Sequence, residues 1–108
     1  MNAEIQSFLR ELTDSTRNGH LRWGCSSIVD EYKLEMRAGV LMIAYNSNTD
    51  RKLTLHLFRG LGNDQILCEA QPSELDYGLL SELYSCARNS LSVTINELRA
   101  EIGVRMQK

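Results

Sequence analysis

Tyr32-Lys33-Leu34-Glu35-Met36-Arg37, followed across Ala38-Gly39 by Val40-Leu41-Met42-Ile43-Ala44-Tyr45, is the stretch that decides the fold. In the first half Tyr32, Leu34 and Met36 alternate with charged residues, the period of a strand with one wet face and one dry face. The second half is apolar at every position and therefore apolar on both faces. Two such runs joined by a two-residue turn must lie antiparallel, because a parallel return needs a crossover of about a dozen residues or more.

The same pattern continues downstream. Asn46-Ser47-Asn48-Thr49-Asp50 is a turn-rich link to a strand over Lys52 to Arg59, and Gly60-Leu61-Gly62-Asn63-Asp64 turns into a last strand over Gln65 to Ala70. Upstream, His20-Leu21-Arg22-Trp23 also alternates and reads as a strand. The expectation is an antiparallel meander of four to five strands.

Helical patterns bracket it. Ile5, Phe8, Leu9, Leu12 and Thr16 fall at helical spacing, with Asn2 as N-cap and Asn18-Gly19 as the stop, so a helix is expected over residues 3–17. After Pro72-Ser73-Glu74, where Ser73 can cap, Leu75, Leu79, Leu80, Leu83, Tyr84 and Ala87 form a second stripe. Asn89 and Ser90 interrupt it, and Thr94-Ile95-Asn96-Glu97 has capping-box spacing, which predicts a separate last helix carrying Ile95, Leu98 and Ile102 and fraying near Gly103. The fold class expected is α+β, the meander flanked by an N-terminal helix and two C-terminal helices. With one proline and no low-complexity run or repeat, residues 1–108 read as a single domain.

At 108 residues such a chain buries about 65% of its unfolded surface, enough for a core without metals or disulfides. Twelve basic and fourteen acidic side chains are interleaved, giving a net charge of -2. No basic stripe of the kind that binds nucleic acid or anionic membranes is present. The first residues, Met1-Asn2-Ala3-Glu4-Ile5, lack a signal-peptide pattern and no apolar run is long enough to span a membrane, so a cytoplasmic protein is expected. Cys25, Cys68 and Cys86 are odd in number and widely spaced. They are expected as reduced thiols, Cys68 and Cys86 buried as small apolar groups, with no metal or other cofactor.

Chemical motifs are sparse. His20 and His56 have no ligand-spaced neighbour, Asp30-Glu31 reads as a solvated loop, and the glycines of residues 60–64 join two strands rather than a strand to a helix N-terminus. The alternative is a small-ligand-binding protein or minor enzyme with its polar or ligand site in a pocket between sheet and helices, drawing on His20, Arg22, Trp23 and Cys25. A single-stranded nucleic-acid platform would use Arg22, Lys33, Arg37, Lys52 and Arg59, but Tyr32 and Tyr45 share the parity of the core leucines and lack an RNP-like signature, so this partner is not expected.

The doubly apolar strand is the departure from pattern. Leu41 and Ile43 join Leu53, Leu55 and Leu57 on one face, while Val40, Met42, Ala44, His56 and Phe58 form the other, a candidate interface. Its cover is a helix of the same chain, a second copy, or another protein. The expectation is a non-enzymatic protein-binding or regulatory module acting as a homodimer.

Leu12-Thr13, then Gly19, Leu21 and Trp23, and finally Leu83-Tyr84 with Ala87-Arg88 around a meander, resemble small uncharacterised bacterial and mobile-element α+β proteins. That resemblance implies the fold and carries no activity. The layout is also similar in outline to dimeric secretion chaperones, whose helix between sheet strands has no counterpart here between Tyr32 and Ala70.

Overall fold

Asn2 starts the first helix, its side-chain oxygen accepting the Ile5 N–H at 2.8 Å, and α1 runs Ala3–Arg17 as the spacing predicts. Asn2→Ala is expected to cost about 1 kcal/mol, read from thermal unfolding, because that N–H then has no partner within the chain. The computed structural model describes residues 2–47, 51–60 and 64–106. Residues 48–50 and 61–63, on which the two expected turns fall, lie outside them.

After α1 the chain folds back on the helix end. Gly19 takes the left-handed φ of 81°, and the His20 and Leu21 N–H groups both donate to the Ser15 carbonyl. Backbone groups used this way cannot join a ladder. The strand expected over residues 20–23 is therefore displaced to the short β1, Gly24–Cys25.

The meander is otherwise as expected: β2 is Glu31–Met36, β3 Gly39–Asn46, β4 Lys52–Phe58 and β5 Asp64–Ala70. All five strands are antiparallel neighbours in chain order. A register shift between Leu55 and His56 sets Leu55 opposite Cys68 but His56 opposite Ile66, leaving Leu67 as the extra residue.

The second helix differs from expectation in one respect. It is a single helix, α2, Tyr77–Met106, 30 residues long, where two were predicted. Asn89 and Ser90 do not break it because its hydroxyls are used within and across the helix. Ser92 donates to the Arg88 carbonyl, Thr94 to that of Ser90, and the Ser90 hydroxyl accepts the Trp23 backbone N–H at 3.0 Å. Its start also lies past Ser73. Glu74 instead closes a turn on Gln71, and Leu75 is fully exposed, off the apolar stripe.

Both helices cover the same face of the sheet. Leu9 and Leu12 of α1 and Leu80, Leu83 and Ala87 of α2 share one core with Trp23, Leu34, Leu41, Ile43, Leu53, Leu55, Leu57, Cys68 and Ala70. Tyr84 of α2 stands against Tyr32 and Tyr45 at centroid distances of 5.4 and 6.2 Å, which puts both strand tyrosines on the inner face.

Burial there pushes the Cys68 thiol from 9.0 up to about 11, with the nearby Asp76 charge adding to the shift. The unfolded thiol ionises first, so above pH 9 the unfolded state binds fewer protons and stability falls as pH rises towards 11. Tyr84, raised to about 12 chiefly by burial, extends the same trend above pH 10. The expected loss from Cys68 is on the order of 2 kcal/mol, and Cys68→Ala should flatten the profile between pH 9 and 11 in urea titrations.

Candidate interface on the outer sheet face

Strand register builds the outer face row by row. Lys33, Met42, His56 and Ile66 lie side by side across β2 to β5, flanked by the rows Glu35, Val40, Phe58, Asp64 and Glu31, Ala44, Thr54, Glu69. No described helix residue covers this face, because α1 and α2 both take the inner one. Coverage by a helix of the same chain, one of the three expected covers, is thus absent among the described residues. Both apolar helix stripes are drawn to the more strongly apolar leucine face.

The apolar residues sit together. Val40, Met42 and Ala44 are half-buried by their strand neighbours, while Phe58 and Ile66 are 40% and 55% exposed. Polar contacts accompany them: the ion pairs Lys33 with Glu35 at 3.8 Å and Lys52 with Glu69 at 3.4 Å on the border, and, between Met42 and Ile66, the His56 ring nitrogen Nδ1 3.6 Å from Asp64. An apolar centre inside a polar, exposed border is the composition of a protein interface. The five residues expected there, Val40, Met42, Ala44, His56 and Phe58, do share this face. Ile66 was not foreseen, because only the bulge brings it opposite His56.

The residues of the expected polar site are dispersed. Trp23 is 2% exposed, with its indole N–H donating to the Thr16 hydroxyl at 2.9 Å. Arg22 is a half-exposed ion-pair partner of Glu97 at 2.9 Å, Cys25 is exposed on edge strand β1, and His20 is exposed in the turn after α1. Arg22 alone borders a cleft, about 360 Å³, between the end of α1 and the middle of α2, together with Arg17, Gly19, Cys86, Ser90 and Val93. Both arginines there are already engaged by carboxylates, Arg17 by Glu82 and Arg22 by Glu97.

Of the basic residues expected for a nucleic-acid platform, Lys33, Lys52 and Arg22 are each paired with a glutamate, and among the described residues Phe58 is the single aromatic ring on the outer face. Cys86 is half-buried, less enclosed than expected. Among the described residues no three His, Cys, Asp or Glu side chains converge as a metal site, and no helix is long and apolar enough to cross a membrane. Compared with known proteins, the chain matches no family model, no curated protein and no solved structure.

Proposed function

We propose that this chain is a non-enzymatic protein-binding module that works as a homodimer, with the outer sheet face as its interface. The observation that carries this reading is a sheet apolar on both sides with both helices on one of them. Val40, Met42 and Ala44 with Phe58 form an apolar strip, and Ile66 lies across His56 from it, an apolar surface of the kind that soluble monomers seldom leave in water. A two-fold dimer is the simplest cover, since one patch then serves both copies.

Met42→Glu tests it. The substitution puts a carboxylate at the centre of the strip and is expected to halve the mass measured by light scattering at micromolar concentration. Leu75→Glu, on the fully exposed turn before α2, is expected to leave the mass unchanged. A dimer unaffected by Met42→Glu refutes this interface.

The cleft between α1 and α2 supports a second reading, a small-ligand binder. A thermal-shift panel of nucleotides, sugars and acyl compounds discriminates, since a ligand at one hundred times its Kd stabilises by about 2.7 kcal/mol. No shift across the panel counts against it.

A further inference from the structure

Among the described residues, His56 is the one titratable side chain that apolar residues of the outer face flank on both sides. Strand register sets it between Met42 of β3 and Ile66 of β5, and Phe58 follows it two residues along β4 on the same face. Its side chain is 25% exposed, and Nδ1 stands 3.6 Å from the carboxylate of Asp64, which reaches it from the next row of β5. The other histidine, His20, is exposed in the turn after α1 and takes no part in this face.

We infer that the homodimer is acid-sensitive, with His56 as its switch: two copies bury the neutral imidazole between them, and its protonation releases the monomers. This rests on the homodimer reading above and adds the regulation of that interface. A neutral imidazole is a small ring that an apolar interface accepts at little cost. An imidazolium must give up its remaining water to be covered, and burial disfavours the charged form of a histidine. Imidazoles ordinarily change charge between about pH 5 and 8, a window in which carboxylates and lysines ordinarily keep theirs.

The groups around His56 leave that cost uncompensated. From β3 it meets Val40, Met42 and Ala44, none of them charged. From β5, Asp64 favours the imidazolium, but it does so in the free monomer as well, and covering the pair takes both partners out of water, a penalty that exceeds the attraction unless the geometry is excellent. Glu69 is held by Lys52, Glu35 by Lys33, and Glu31 accepts from the Ser26 hydroxyl. Lys33, in the same row as His56, adds a like charge. A two-fold interface carries two copies of His56, so protonation places two imidazoliums in it. The free monomer accordingly binds more protons than the dimer, and association weakens as pH falls through the imidazole range.

Sedimentation velocity over a dilution series, at about pH 7.5 and about pH 5.5, tests this by giving the dimer Kd on either side of the imidazole range. The native chain is expected to associate about tenfold or more weakly at the lower pH, with its far-UV circular dichroism unchanged. His56→Gln, whose side chain cannot charge, is expected to change by less than about twofold between the two. His56→Thr, uncharged and suited to a strand, serves if the first variant fails to fold. His20→Gln is expected to keep the native response. A dimer whose Kd is unchanged or tighter at the lower pH, a native response that persists without His56, or dissociation that accompanies loss of the circular dichroism signal overturns the switch and leaves the homodimer standing. A monomeric mass at both pH values overturns both.

Discussion

Trp23→Ala is expected to destabilise the fold by about 3–5 kcal/mol, the range for emptying a large aromatic site, out of a total of about 5–15 kcal/mol for a domain of this size. Trp23 is where three elements meet. Its indole is buried and donates to the Thr16 hydroxyl on α1, which itself donates to the Leu12 carbonyl at 2.7 Å, while its backbone N–H donates to Ser90 on α2. Removing the ring opens a cavity between α1, α2 and the start of β1 and leaves the Thr16 oxygen without its donor. Trp23→Phe keeps most of the apolar contact and should lose about 1–2 kcal/mol, the cost of the unmade hydrogen bond and the smaller ring. Urea denaturation followed by far-UV circular dichroism reads both, and a loss below about 1 kcal/mol for Trp23→Ala would contradict this packing.

Gly39→Ala is the second large effect, expected to cost about 2–3 kcal/mol or more. Gly39 opens β3 with a φ of 149°, a backbone region that side chains rarely enter, and a Cβ placed there would lie 2.6 Å from the Phe58 carbonyl oxygen. That oxygen belongs to the β3–β4 pairing, where Val40 faces Phe58, so it cannot withdraw without opening the ladder at the edge of the outer face. Gly60→Ala is the control. Gly60 has a φ of 116° with nothing near its missing Cβ, so backbone strain acts alone and the loss should be smaller. Equal losses at the two positions would remove the steric part of the account.

The strands from Tyr32 to Ala70 were legible because each depends on a local period of two and on short turns that permit one pairing. The first helix was legible because Asn2 and Gly19 mark its ends by local chemistry. What sequence could not show depends on contacts between distant residues. Ser90 and Thr94 look like helix interrupters until Trp23 and Arg22 bind them, and α2 then runs on unbroken. His20-Leu21-Arg22 alternates like a strand, but two of its backbone donors are taken by Ser15. The outer strip was readable from Val40, Met42 and Ala44, whereas Ile66 joined it through a bulge that no local pattern announces.

The central claim is that a second copy covers the outer face, and the solution mass of the unmodified protein tests it most directly. Sedimentation equilibrium at micromolar concentration should return twice the 12.3 kDa of the chain. A mass of 12.3 kDa across that range would contradict it.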